Sequence, residues 1–222
     1  MAVNKSLHCK PLWKEWDHKA NKQGLLHTVF FSNGDEYTGE WLNNKKHGKG
    51  TYLWNNKSVY NGDWKNDMRN GFGTLCVMNS DNQSIMKQYY GGWKDNLKHG
   101  FGTYIFNDNV MYEGDWCHDK RHGWGRMIFE NSSIYEGEWA NDQRNGQGIL
   151  KYKNQNMYEG NWSSDMKNGA GKFFYFDKKQ LYDGIWINDV AKCGEIQPIT
   201  ETSSVHDAKD IFPKLLKQVK EG

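Results

Sequence analysis

Residues 135–148 read YEGEWANDQRNGQG, and this stretch decides the fold because its pattern returns throughout the chain. It places two carboxylates, Glu136 and Glu138, beside Tyr135 and Trp139. Taken alone, the stretch resembles a catalytic carboxylate pair next to an aromatic platform. A pattern that recurs at a fixed period along a chain indicates a structural repeat, so the stretch has to be compared with the rest of the sequence.

The pattern Tyr-x-Gly-x-Trp occurs seven times, with successive tyrosines 23, 29, 23, 23, 23 and 24 residues apart. Seven residues after the Trp of each of the first six copies, a Gly-x-Gly follows. The seven sets are Tyr37, Gly39 and Trp41; Tyr60, Gly62 and Trp64; Tyr89, Gly91 and Trp93; Tyr112, Gly114 and Trp116; Tyr135, Gly137 and Trp139; Tyr158, Gly160 and Trp162; and Tyr182, Gly184 and Trp186.

These motifs, YxGxW followed by KHGKG, KHGFG, RHGWG or RNGQG, resemble the signature of the MORN (membrane occupation and recognition nexus) repeat family. The resemblance covers about residues 37–194, and it implies a scaffold of stacked hairpins that can form homodimers. The chain ends, LWKEWDHKANKQG and WINDVAKCG, resemble those of a family member associated with male germ cells. This implies a cytoplasmic role in sperm formation, around the acrosome, manchette or flagellum.

The repeat itself predicts β-hairpins, because side chains alternate between the two faces of a strand. Tyr, Gly and Trp of each copy then share one face, while residues such as Glu136 and Glu138 point to the other. In the next strand Gly146 and Gly148 share the ring face, where the missing Cβ atoms leave room for aromatic rings. Hairpins that cannot bury their rings alone must stack. The predicted fold is all-β, an elongated, twisted array of antiparallel hairpins forming a curved trough, with a short C-terminal helix.

Four segments follow from this interpretation. Residues 1–11 are expected to be a flexible N-terminus, and residues 12–34 a degenerate half-repeat that caps the array, with a short helix as the alternative. Residues 35–194 hold the seven repeats. Residues 195–222 are a polar linker followed by a short amphipathic helix.

The tail helix is predicted from apolar residues at helical spacing. Three occupants of its apolar face stay open: the trough of the chain itself, the groove of a partner protein, or a membrane surface. The residues of this tail contact are Ile211, Phe212, Leu215, Leu216 and Val219.

The turns and the linkers carry further signals. The third residue after each Trp is Asn or Asp, which tolerates a left-handed conformation and can close an Asx-turn. The linker in residues 74–88 is six residues longer than the others. It predicts a long hairpin or contact loop, or a tolerated surface insertion. In the last repeat Cys193 stands where Gly is expected, so this hairpin should be imperfect.

A basic residue occupies the fifth position after six of the seven tryptophans, and stacking would align these residues along one edge of the array. This basic rim could contact proteins, attract anionic lipid, or keep the array soluble. Its members are Lys46, Arg69, Lys98, Arg121, Arg144 and Lys167.

Composition and motifs favour a binding protein over an enzyme. The net charge of +2 gives no field for nucleic acid. The four cysteines stand apart, which predicts free thiols in a reducing compartment and no metal site. His118 and His122 are four residues apart in a turn, where the spacing of helical metal ligands does not apply. The positions of Glu136 and Glu138 vary between copies, as on a solvated face. We expect a protein scaffold without cofactor, with anionic lipid binding as the alternative.

Overall fold

The computed structural model describes residues 21–78 and 85–199, which form fifteen antiparallel strands in one unclosed sheet whose order follows the chain. The strands are β1 (Gly24–Phe30), β2 (Glu36–Leu42), β3 (Lys45–Leu53), β4 (Val59–Lys65), β5 (Met68–Met78), β6 (Ile85–Lys94), β7 (Leu97–Asn107), β8 (Val110–Cys117), β9 (Lys120–Ile128), β10 (Ile134–Ala140), β11 (Gln143–Lys151), β12 (Met157–Ser163), β13 (Met166–Tyr175), β14 (Gln180–Ile187) and β15 (Val190–Pro198). The predicted all-β array of stacked hairpins is confirmed. The predicted tail helix, residues 1–11 and residues 12–20 lie outside the described part of the chain.

The core of each repeat is a tyrosine ring lying over two glycines. Tyr135 is fully buried, and its ring fills the space beside Gly137 and Gly148, which face each other across β10 and β11. The Tyr135 hydroxyl donates a hydrogen bond to the Glu138 carbonyl oxygen at 3.0 Å. Burial raises the pKa of Tyr135, so the ring remains a neutral donor at ordinary pH.

A tryptophan from the next repeat completes this core. The Trp162 ring lies edge-on to Tyr135 at 5.3 Å, and its Nε1 donates to the Gly148 carbonyl oxygen at 3.1 Å. Tyr135 also packs edge-on against Trp139 of its own repeat, at 5.2 Å. Edge-to-face pairs at this distance each contribute about 0.5–1.5 kcal/mol beyond the area they bury. The aromatic face therefore runs without interruption from one repeat to the next.

The two glycines of each Gly-x-Gly have different roles, which corrects the expectation that both make room for rings. Gly146 has φ of +78° and lies in a bulge, and a Cβ there would meet the Glu138 carboxylate on the outer face. A Cβ on Gly148 would instead meet the Tyr135 ring on the inner face. The bulge puts two extra residues into β11 between Gly148 and Arg144, so the simple alternation of faces fails there.

The hairpin turns are two-residue turns with both residues in the left-handed region, as in Asn141 and Asp142 with φ of 50° and 72°. This is the type I′ geometry, which matches the twist of the strands. The left-handed conformation predicted for the third residue after Trp is confirmed, and Asn107 and Asn154 close Asx-turns in the linkers, but no Asx-turn forms at Asp142. The Asp142 carboxylate accepts a hydrogen bond from the Arg121 backbone N at 3.0 Å, and Asp142 N donates to the Arg121 carbonyl at 3.0 Å. The side chain therefore joins neighbouring repeats rather than closing its own turn.

The array departs from this pattern at its ends. Gly24 of β1 lies opposite Trp41, as Gly146 lies opposite Trp162, so β1 takes the place of a second hairpin strand. In the last hairpin Cys193 lies opposite Ile185, and the bulge has one residue fewer than in the other hairpins. In the first and last repeats, Trp41 Nε1 and Tyr182 Oη are buried donors with no partner among the described residues.

The longer third linker forms a longer hairpin arm. Pairing between β5 and β6 continues to Met78 opposite Ile85, with a register shift between Leu75 and Cys76. The tip of this arm, residues 79–84, lies outside the described residues. The predicted long hairpin with altered register is therefore confirmed, while its role as a contact loop or as a tolerated surface insertion stays a prediction.

Substitution of Gly148 tests the packing of tyrosine over glycine. We expect Gly148→Ala to lower the free energy of unfolding by about 1–3 kcal/mol, because the new Cβ must displace the Tyr135 ring. Lys151→Ala, an exposed position of the same strand, is the control and should change it by less than about 0.5 kcal/mol. Denaturant unfolding of both variants measures this. Equal stability of the two would contradict the role given to the glycine gap.

Candidate functional site

The basic rim lies along the turn edge of the array, but its charged ends are packed on rings. The Arg144 guanidinium carbon is 4.3 Å from the Trp162 ring centroid, the distance of a cation–π contact. The other members repeat this contact one repeat apart. Their distances to the ring of the following Trp are 5.3 Å for Lys46, 4.1 Å for Arg69, 4.9 Å for Lys98, 4.4 Å for Arg121 and 4.6 Å for Lys167.

Most of the rim is also neutralised from within. Arg144 Nε lies 3.0 Å from Asp165 Oδ1, and the Arg144 side chain is only 19% exposed. Lys46, Lys98 and Arg121 have the same kind of partner and are 15%, 19% and 20% exposed. Four of the six rim residues thus form half-buried ion pairs that hold repeats together, which leaves little free charge for an anionic surface.

Two members of the rim differ in their electrostatics. The partner of Arg69 is Asn96, which takes the position of Asp in the four ion pairs. Arg69 N donates to the Asn96 side-chain oxygen, and Arg69 Nη2 donates to the Asn96 carbonyl oxygen, so no carboxylate takes part. Burial lowers the pKa of Arg69 and the pKa of Lys167. The nearby charge of Asp189 raises the pKa of Lys167 and so opposes the effect of burial. Arg69 is the rim cation whose clamp partner is uncharged.

The carboxylates first considered as a catalytic pair have structural partners. Glu136 forms an ion pair with Arg126 at 3.0 Å, and burial raises the pKa of its carboxyl group. Glu138 Oε1 accepts a hydrogen bond from Gln147 N at 2.9 Å, just after the bulge glycine. The residue equivalent to Glu138 caps the bulge in three other repeats as well, through Glu40, Asp63 and Asp115. The face that was expected to be solvated is exposed at Glu40 but half-buried at the other four of these positions.

The structure adds a surface that sequence reasoning missed. The middle residue of Gly-x-Gly points to the outer face, and in three successive repeats it is an exposed aromatic residue. Phe72 is 56% exposed, Phe101 43% and Trp124 46%. We call these three residues the outer-face stripe. The motifs GFG, GFG and GWG already contained the evidence for this stripe. Their aromatic residue lies on the face opposite the buried rings, so it cannot be part of the core.

The surroundings of the stripe are acidic at two of its three residues. Phe101 lies opposite Asp115 and Trp124 opposite Glu138, whereas Phe72 lies opposite Gly92. Gly92 stands at the position where neighbouring repeats carry the bulge-capping acid, and the His99 carbonyl oxygen occupies the space that a side chain there would take. The result is an apolar row with carboxylates beside Phe101 and Trp124.

The histidines and cysteines fall into two groups. His47 has a buried Nδ1 with no partner among the described residues, and His122 is exposed. His99, Cys117 and His118 lie together, although no metal site was predicted and the spacing considered was that of His118 and His122.

The tail contact residues 211–219 lie outside the described part of the chain. No helix among the described residues is long and apolar enough to cross a bilayer.

Comparison with known proteins accounts for the repeated geometry. The MORN repeat model matches residues 37–59, 60–77, 89–111, 112–134, 135–157 and 158–179, more than half of the chain. This chain belongs to the MORN repeat family. MORN repeats are scaffold units, and the family is not known for enzymatic activity.

Individual relatives extend the match beyond the repeats. The chain is 52% identical over 214 residues to MORN repeat-containing protein 3 of Xenopus laevis, covering 96% of this chain and 90% of that protein. The proteins of the same name in Bos taurus and Mus musculus match at 68% over 41 residues and 64% over 42 residues. These matches cover 18% and 19% of this chain and 17% of each relative. The MORN family resemblance read from the sequence is confirmed.

The clamp between repeats can be separated into its hydrogen bond and its charge at Asp165. We expect Asp165→Asn to change the free energy of unfolding by less than about 1 kcal/mol, because the amide oxygen can replace the carboxylate as Asn96 does at Arg69. Asp165→Ala should cost about 1–3 kcal/mol, since it removes the acceptor and places Ala at φ of 67°. Equal losses in thermal and denaturant unfolding would show that the charge stabilises the clamp more than the hydrogen bond does.

Proposed function

We propose that this MORN repeat protein is a non-enzymatic scaffold that binds and tethers other proteins through its outer face. The observation that carries the proposal is the outer-face stripe, three large aromatic side chains between 43% and 56% exposed on successive repeats. Exposed aromatic residues are enriched at protein interfaces, where they supply contact area at low entropic cost. The trough face cannot serve in this way, because its rings are buried in the core.

The sheet beneath the stripe suits a scaffold. Each repeat is tied to the next by a full set of strand pairs, a ring contact and a turn clamp. Partner sites on successive repeats are therefore held at fixed separations, and binding does not have to order the surface first. A rigid row of equivalent positions allows one chain to hold several partners or one extended partner.

The chemistry of the stripe defines the partner. Phe72 and Phe101 offer apolar contact on the outer face. Asp115 and Glu138 border the row on the same face. The complementary partner is a protein segment with apolar anchors flanked by Lys or Arg.

Catalysis has no comparable support. An acid–base pair needs two carboxyl groups whose environments separate their roles. Glu136 is held in an ion pair with Arg126, and Glu138 caps the bulge before Gln147. Both carboxylates therefore have a structural role in the repeat.

We place this scaffold in male germ cells, in assemblies of the acrosome, manchette or flagellum. The support is the resemblance of the chain ends to a MORN protein associated with male germ cells, together with the length of the match to MORN repeat-containing protein 3. Immunolocalisation in developing sperm tests this placement separately from the binding surface. Staining confined to other cell types would contradict it.

Crosslinking mass spectrometry of the native complexes tests the binding surface. We expect crosslinks to partner proteins to cluster around the outer face, and Phe72→Ser with Phe101→Ser to lower partner recovery by about tenfold or more, as loss of interface anchors does. Gln147→Ser and Lys49→Ser, at the same motif position in other repeats, are matched controls and should retain binding.

Two results would contradict the proposal. One is recovery of the same partners by the double Phe variant. The other is salt-sensitive binding to vesicles containing phosphoinositides that is lost when Arg121 and Arg144 are neutralised, because this would make the basic rim a lipid-binding surface instead.

A further inference from the structure

A cluster of metal-ligating side chains lies at the turn edge between the third and fourth repeats. His99, Cys117 and His118 each bring one ligand atom to within 4.8 Å of the others. Cys117 Sγ is 3.2 Å from His118 Nδ1, and the His99 and His118 rings are 5.6 Å apart. We propose that these three residues bind a divalent transition metal of the Zn²⁺ type.

The clamp between repeats creates this juxtaposition. Lys98 N donates to Asp119 Oδ1 at 2.9 Å, and Asp119 N donates to the Lys98 carbonyl at 3.0 Å. Because Lys98 and Asp119 are fixed against each other, their neighbours His99 and His118 are brought together as well. The same pair of positions meets elsewhere as Asn70 with Asp95, whose side chains are 3.2 Å apart.

The turn does not require a histidine. Its first residue must adopt positive φ, which is 51° at His118. Asn, Asp and His are all enriched in this conformation. Seven described turns share this geometry, and the other residues at this position are Asn43, Asn66, Asp95, Asn141, Ser164 and Asn188. Local backbone preference therefore allows the histidine at position 118 but does not require it.

The donor set and the distances suit zinc. Zn²⁺ binds thiolate sulfur at about 2.3 Å and imidazole nitrogen at about 2.0–2.1 Å, so tetrahedral geometry separates the two ligand atoms by about 3.5 Å. The Cys117–His118 separation of 3.2 Å is close to this value. His118 is exposed and Cys117 half-buried, so the site is open to solvent. Three protein ligands leave the fourth position to water.

His47 provides an internal comparison. It holds the repeat position of His99, and the Nδ1 of each is buried without a partner among the described residues. The residues facing that position from the next repeat are Lys65 and Asn66, where His99 has Cys117 and His118. A buried Nδ1 without a partner is thus common to both histidines at this repeat position. His99 differs from His47 in having a thiol and a second imidazole beside it.

Co²⁺ binding to the full chain under reducing conditions tests the site. We expect a thiolate-to-cobalt charge-transfer band with tetrahedral visible absorption, both abolished by Zn²⁺. Cys117→Ser should remove the charge-transfer band. His99→Asn and His118→Asn should each weaken binding by at least the roughly 10- to 100-fold that loss of an outer-sphere partner causes. These two variants introduce residues found at the same positions of other repeats, Asn70 and Asn141, so they should fold normally.

Matched controls keep the test decisive. His47→Asn and Cys76→Ser should bind Co²⁺ as the unchanged chain does, and the apo forms of all variants should unfold at similar denaturant concentrations. Absence of the charge-transfer band in the unchanged chain would overturn the proposal. A band that persists in Cys117→Ser, or that disappears in Cys76→Ser, would overturn it as well.

Discussion

A tyrosine ring laid over a pair of facing glycines is the contact on which the remainder of this protein depends. At Tyr135 the ring occupies the volume that Cβ atoms of Gly137 and Gly148 would fill. Glycine within a strand costs about 0.5–1 kcal/mol, but burial of a large aromatic side chain removes roughly 150–250 Å² from water. Burial of the ring outweighs the cost of the glycines only if the ring is shielded from water, and a single hairpin cannot enclose it. Stacking is therefore a condition of folding rather than a later assembly step.

Two contacts couple each hairpin to the next, and they act on different parts of the repeat. Trp162 covers Tyr135 in the core, while Asp165 clamps Arg144 at the turn edge. Stability in such an array is close to the sum of what each repeat contributes alone and what each pair of neighbours adds. Among the described residues, the first and last units have a neighbouring repeat on one side only. Trp41 Nε1 of the first unit has no partner among these residues, whereas Trp64 Nε1 donates to the Gly50 carbonyl oxygen of the preceding repeat.

The sequence predicted the strands, their order and the ring face, because a period of two and a period of about 23 residues are both visible in it. It could not predict the opposite directions of Gly146 and Gly148, since Gly146 takes a positive φ inside a bulge where the regular alternation of faces is interrupted. The position of Arg144 in the rim was predicted, but its burial was not. A long flexible side chain can reach water or a ring from the same backbone position, and only the neighbouring repeat decides which. His99 and His118 meet through the register between repeats, which no local motif encodes.

The positions that the repeat leaves unconstrained are the ones that can carry function. Tyr, Gly and Trp are required by the core, Asp and Asn by the turn clamp, and Glu138 or its equivalents by the bulge. The middle residue of Gly-x-Gly meets none of these demands, and it varies as Lys49, Phe72, Phe101, Trp124, Gln147 and Ala170. Because Lys and Gln are tolerated there, the aromatic residues are not needed for folding. Three exposed rings on adjacent repeats favour association between molecules, so their presence needs a reason outside the fold. A surface that binds another protein provides that reason.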